Sequence, residues 1–315
     1  MRKYAVCRFR NTHRKRDSSD IHLAVGDTLK TYRPSEVEQY AFCPTYWSLR
    51  KEGWTTRIAT KATVAAIWST AAHAAFALYQ KMKLDGCTDQ AQLLTAAQCE
   101  AAQVYVADFN HYIAAGVNFG TLDTDDAVGD LRKLVANYTK SCKLDASRGW
   151  QVVSVEESLD GEGTTRPDVI VRDPDGILCP VDYKIKRSVN PKWFDHQGWS
   201  DDFQYSHKQL HYIHEICKRY DNHIDANVVQ LRHYIYAIAA EPFAQTLTAY
   251  DITPEYMKDW YSSATRYWMD MHTGVNEGIM HPTHKSPYGM CEMLDFCTKG
   301  GAGLSYIKVT KRGDE

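Results

Sequence analysis

The chain has 315 residues, 44% hydrophobic and 24% charged. That length supports a substantial core, and that composition excludes a disordered chain. Its 37 Lys and Arg stand against 39 Asp and Glu, a formal charge of −2, which excludes a polycation coating nucleic acid but not a local basic groove.

The nine cysteines are scattered, and Met1-Arg2-Lys3-Tyr4 leads into no apolar segment. A reducing cytoplasmic setting is therefore expected rather than a disulfide scaffold. The alanine-rich stretch 62–78 is interrupted by Thr63, Ser69, Thr70 and His73 and reads as a buried helix, not a membrane span.

The first twenty residues carry seven bases and two acids, so residues 1–30 read as a basic arm, either solvated or touching phosphates. Residues 31–315 read as one domain. Its helical part runs from about 35 to 148, its sheet from 150 to 252, and a C-terminal helix with a Cys-containing tail fills 253–315. Ser35 and Glu38 have capping-box spacing after Pro34, and Pro44 interrupts the helix they open. Residues 60–84, 89–115 and 124–144 show helical periodicity. Strands follow at 151–159, 166–172 and 177–184. Ser200 is placed to cap a helix reaching Tyr220, with Gln204 in its first turn. Residues 227–238 and 245–252 are β-rich. Thr253 caps a further helix with Pro254 at its first position, ending near Gly274. This order predicts an α/β fold, a mixed central sheet flanked by helices with a helical insertion.

The hairpin 166–184 carries the chemistry. Its turn Asp173-Pro174-Asp175-Gly176 suits a type I turn closed by a left-handed glycine. That loop pairs Asp173 with Ile177 and therefore sets Asp168 opposite Asp182, with Lys184 on the same face. Val169, Val171, Val181, Tyr183 and Ile185 fall on the other face as core. Facing carboxylates repel unless a cation lies between them. Two acids and a lysine suit metal-assisted phosphodiester hydrolysis, with Mg²⁺ or Mn²⁺ between Asp168 and Asp182. Lys184 would then orient water or stabilise developing charge. A solvated surface hairpin is the competing reading.

Pro167-Asp168, a gap, then Asp182-Tyr183-Lys184 resembles the PD-(D/E)XK nuclease superfamily. Ser35 to Pro44 (SEVEQYAFCP) is similar to the N-terminal helix of its RecB-like exonuclease branch, which includes CRISPR-associated, AddB-type and phage exonucleases. Ala72-His73-Ala74-Ala75-Phe76 is similar to that branch's histidine helix, with Ser69 where a glycine is common. The resemblance runs from about residue 31 to 300 and implies a restriction-endonuclease-like core. It also implies that His73, Asp168 and Asp182 bind metal and that Lys184 assists catalysis.

The branch has a Gln-x-x-x-Tyr helix after the Asp-x-Lys strand. Here Gln204 precedes Lys208 by four residues and Gln209 precedes Tyr212 by three, so either glutamine is a candidate, with Tyr212. Four cysteines often hold an iron–sulfur cluster in this branch. Cys43, Cys291 and Cys297 match three of them, and Tyr288 stands where another is expected. An incomplete cluster, a zinc site completed by His284, and buried thiols binding nothing all stay open.

Lys184, Lys186, Arg187 and Lys192 form a basic approach for a phosphate backbone. Tyr205, Tyr212, Tyr220, Tyr234 and Tyr236 either stack bases or pack. The expected function is a metal-dependent DNA nuclease, an exonuclease of recombination, repair or phage DNA processing, with DNA and a processing protein as partners and no membrane. The alternatives are a catalytically decayed DNA-binding or assembly protein on the same fold and a zinc-stabilised interaction module.

Overall fold

The computed structural model describes residues 33–120, 124–160, 165–188, 203–220, 231–277, 285–286, 289–290 and 306–309. The basic arm, His284, Cys291, Cys297, Lys192 and Ser200 lie outside them.

Helix α1 (Pro34–Phe42) starts two residues earlier than a capping Ser35 would set it. Pro34 takes the first helical position, where its missing N–H costs nothing, and the Glu36 carboxylate accepts the Arg33 N–H at 2.9 Å. Glu38 is thus released for another task. Cys43 breaks the chain direction, and α2 (Pro44–Lys51) follows with Pro44 again at its first position. The Cys43 Sγ accepts the Tyr46 N–H at 3.4 Å, so this thiol serves as a helix cap.

A short strand β1 (Trp54–Thr56) pairs antiparallel with β9 (Tyr306–Lys308), far along the chain. The sequence signals no strand at 306–308, and this pairing supplies one. Gly53 has φ +88, and a Cβ there would lie 2.1 Å from the Val309 carbonyl oxygen, so this approach requires glycine.

Three long helices follow: α3 (Lys61–Leu84), capped by Thr60, α4 (Gln90–Ala114), capped by Asp89, and α5 (Thr124–Ser141). They pack together over one face of a five-stranded sheet. Its strands are β2 (Gln151–Val155), β3 (Val169–Arg172), β4 (Leu178–Ser188), β5 (Leu231–Glu241) and β6 (Ala244–Ile252), in that spatial order. β4 and β5 run parallel, and the other neighbours are antiparallel, so the sheet is mixed as expected.

Helix α6 (His207–Arg219) covers the other face, and α7 (Pro254–Glu277) packs against α6. α6 is capped by the Ser206 hydroxyl, not by Ser200, so Gln204 lies in the preceding turn and not in the helix. Strands β7 (Lys285–Ser286) and β8 (Gly289–Met290) form a separate pair.

The main core joins Ala71, Ala72, Ala75 and Phe76 of α3 to Val169, Val171, Val181 and Tyr183 of the hairpin. Phe76, Tyr138, Tyr183 and Tyr236 meet ring to ring within it. Tyr212, Tyr234 and Tyr236 are buried, so packing accounts for them, whereas Tyr205 is exposed. No helix among the described residues is long and apolar enough to cross a membrane.

Candidate active site

The β3–β4 register is the one the turn dictates. Val169 faces Val181 and Val171 faces Cys179, the Asp173 N–H donates to the Ile177 carbonyl, and Gly176 has φ +83. The Asp173 side chain locks this turn by accepting the Asp175 and Ile177 N–H groups, both at 2.9 Å. Asp168 lies one residue before β3 begins, where the ladder with β4 has ended.

This divergence creates the site. β4 runs on for seven residues past Val181 without β3 beside it, which leaves the Tyr183 N–H lacking a strand partner. The Asp168 carboxylate supplies the acceptor, taking that N–H through Oδ2 at 2.6 Å. Its Oδ1 faces the His73 Nδ1 at 3.2 Å. His73 projects from α3, which the small side chains of Ala71, Ala72 and Ala75 allow close to the sheet. Burial lowers the His73 pKa, but the Asp168 carboxylate outweighs it and the net direction is up.

Asp182 has no exposure to solvent, which overturns the reading of a solvated charged hairpin. The face it shares with Lys184 is covered by α6. Lys184 Nζ lies 2.6 Å from Asp182 Oδ2 and Lys208 Nζ lies 2.5 Å from Oδ1. Burial alone would raise the Asp182 pKa; the two ammonium groups reverse this and hold the carboxyl below the usual carboxylate range. Burial likewise opposes the charge on Lys208, and Asp182 overrides it, pushing that ammonium well above its ordinary value. Lys184 also sits over the Phe203 ring at 4.4 Å.

Lys208 is the residue that sequence reasoning missed. It stands four residues before Tyr212, the spacing of the Gln-x-x-x-Tyr pattern, with lysine where that pattern has glutamine. Its ammonium lies 5.4 Å from the centre of the Tyr212 ring, and the Tyr212 hydroxyl donates to the Arg166 carbonyl at 3.0 Å. Glu38, freed from capping α1, accepts the Lys208 N–H at 2.9 Å and so fixes the first turn of α6. The signal was in the sequence, as Lys208-x-x-x-Tyr212, but glutamine was the residue sought.

The two glutamines do not join the acids. Gln204 contributes its backbone carbonyl to the His233 Nε2 at 3.0 Å. Gln209 is fully buried, and its side-chain amide finds no partner among the described residues.

His73, Asp168 and Asp182 offer imidazole and carboxylate donors, the chemistry that Mg²⁺ or Mn²⁺ accepts. Asp182 Oδ2 is buried and faces the Lys184 ammonium at 2.6 Å. The donor types therefore fit a divalent cation. The lysines compete with it: among the described residues, no three His, Cys, Asp or Glu groups are set to share one ion. Of the cysteine set only Cys43 is described; it is buried against Tyr46, Leu49 and Tyr306.

A search of curated proteins found no match to this chain. The family model of the PD-(D/E)XK nuclease superfamily matches residues 33–298, a span that includes the histidine helix, the acid-bearing hairpin and the lysine helix. The chain therefore belongs to the PD-(D/E)XK nuclease superfamily.

Proposed function

We propose that this chain is a divalent-metal-dependent DNA nuclease, an exonuclease of the RecB-like branch acting in recombination, repair or phage DNA processing in the cytoplasm. The observation that carries this reading is the meeting of His73, Asp168, Asp182 and Lys184 where β3 leaves β4.

His73, Asp168 and Asp182 would hold Mg²⁺ or Mn²⁺. When bound, the cation supplies a Lewis acid for a phosphoryl oxygen and lowers the pKa of a coordinated water. The protein's own contribution is positional. Asp168 is fixed by the Tyr183 N–H, so its second oxygen has one direction to face. Lys184 sits 2.6 Å from Asp182, where its ammonium can shift to the charge growing on a scissile phosphate. Lys208 adds a second ammonium at the same carboxylate, so the site holds two cationic groups before any metal enters. Tyr212 steadies Lys208 through its ring and holds the strand entry through Arg166.

Incubation with Mn²⁺ and end-labelled linear and circular DNA, single- and double-stranded, tests the reading. Degradation confined to linear DNA is expected. Cutting of circles would replace exonuclease by endonuclease, and no cutting of any substrate would end the nuclease reading.

One observation favours a second reading, a DNA-binding or assembly protein that has lost cleavage: both Asp182 oxygens are engaged by lysines. DNA binding that is unchanged by Mn²⁺ and yields no cleavage would select it.

A further inference from the structure

Lys208 sits at an unfavourable place in its own helix. It is the second residue of α6, at the end that carries the positive pole of the helix dipole, where a cation is disfavoured. Its side chain is also drawn partly out of water, with 27% of it exposed. The backbone around it is nevertheless held firmly. The Ser206 hydroxyl caps the helix, and Glu38 accepts the Lys208 N–H at 2.9 Å. What offsets both costs is the approach of Nζ to Asp182 Oδ1, at 2.5 Å. A basic residue serving the helix alone belongs in its last turn, where Lys218 and Arg219 lie exposed.

The place that Lys208 fills suits an ion. Oxygen ligands hold Mg²⁺ at about 2.0–2.1 Å, so a cation on the Lys208 side of Oδ1 would stand against the ammonium. Sites with two metal ions set them about 3.5–4 Å apart, and a carboxylate shared between them faces one with each oxygen. Asp182 faces two cations in that way, Lys184 from β4 on Oδ2 and Lys208 from α6 on Oδ1.

Charge balance points in the same direction. Asp168 and Asp182 bring two negative charges, Lys184 and Lys208 two positive ones, and His73 must be neutral to ligate. These side chains are balanced before any ion enters, so one divalent cation leaves two positive charges. A DNA phosphate carries one negative charge, and a second grows as hydroxide attacks it. One ion therefore matches the attacked phosphate. A second would leave two positive charges unmatched beside a carboxylate cut off from water. With glutamine at this position, as in the Gln-x-x-x-Tyr pattern, the side chains would carry a net negative charge and a second ion would be less opposed.

We propose that Lys208 stands in for a second metal ion at Asp182, so that the site takes one divalent cation and α6 supplies the other cationic group. The proposal rests on the nuclease reading for the metal and the phosphate.

The test counts Mn²⁺ on the full chain by calorimetry, without DNA. Ions at the acids are those lost when Asp182→Asn is added to each protein. Thermal melts confirm that each variant is folded. Wild type is expected to hold one such ion. Lys208→Gln and Lys208→Met both remove the charge and should hold two, the second more weakly. Methionine offers Mn²⁺ no oxygen, so a second ion in both variants follows from the lost charge. Cleavage of linear DNA is scored separately. At Mn²⁺ levels that fill only the first ion, Lys208→Met should cut at least about tenfold more slowly than wild type, and more Mn²⁺ should recover part of that loss. Two ions or none at the acids of wild type, or a single ion in both variants, overturns the proposal. A chain that cuts DNA with the same ion count in all three proteins loses only the Lys208 assignment. A chain with the expected counts that cuts nothing loses only the nuclease reading.

Discussion

Asp182 is a carboxylate removed from water and held between two ammonium groups. Removing one member of such a buried set typically costs about 3–5 kcal/mol, because the remaining charge is stranded. Here Lys184 and Lys208 keep 23% and 27% of their side-chain exposure and would partly re-solvate. Asp182→Asn is therefore expected to cost roughly 1–3 kcal/mol, below that range. Chemical denaturation of the two proteins measures it; a loss under half a kcal/mol would mean the ion contacts are not made in solution. Lys208 competes with any cation for Asp182. Lys208→Gln restores the amide of the Gln-x-x-x-Tyr pattern and removes that competitor. Mn²⁺ binding by calorimetry should tighten about tenfold, a small part of the Coulomb energy of two charges a few Å apart. Weaker Mn²⁺ binding would instead make Lys208 a support for the ligands. The acids and Lys184 were legible in the sequence because a four-residue turn fixes their register locally. Lys208 was not, because its place depends on Ser206 and on Glu38, 170 residues away in the chain.

Helix α3 links the core to the candidate site. Ala71, Ala72 and Ala75 have no exposure, and their small size sets how near His73 comes to Asp168. Ala72→Leu is expected to destabilise by about 1–3 kcal/mol through overpacking and to lower DNA cleavage as His73 is pushed from the sheet. A melt and an activity assay read the two effects; full activity in a destabilised variant would separate the helix position from function. The β1–β9 pairing depends on Gly53 in the same way. Gly53→Ala places a methyl group against the Val309 carbonyl in a left-handed backbone, so a loss of about 1–3 kcal/mol is expected in the same melts. The long helices and the central strands were readable from periodicity. The β1–β9 pair was not, since three-residue strands joined across most of the chain leave no local signal. The start of α6 was misplaced because two serines, Ser200 and Ser206, both make adequate caps and only packing against α1 chooses between them.

The described residues form a helical layer, a mixed sheet and a second helical layer; His207 and His211 lie in that second layer and His233 on strand β5 beneath it. Burial lowers the pKa of His207 to about 4, His211 to about 3 and His233 to about 4. In the unfolded chain each titrates near its ordinary value of 6.5. The unfolded state therefore takes up protons first, and stability present above pH 6.5 is lost as pH falls toward 4. At about 1.4 kcal/mol per pH unit, each histidine withdraws up to roughly 3 kcal/mol over that window, less for the half-buried His207. Melting temperature should fall steeply between those pH values, and a flat profile would mean the histidines are solvated. The charge balance near zero hides a separation, with Asp182 buried and Asp168 half-buried at the divergence of β3 and β4 and two lysines beside Asp182. The most direct measurement is Mn²⁺-dependent release of labelled nucleotides from linear DNA by wild type and by Asp182→Asn, each shown folded by circular dichroism. Wild type should degrade the DNA, and Asp182→Asn should be slower by at least about a thousandfold. Equal rates in the two proteins, or no release by wild type, would contradict a metal-dependent nuclease centred on Asp182.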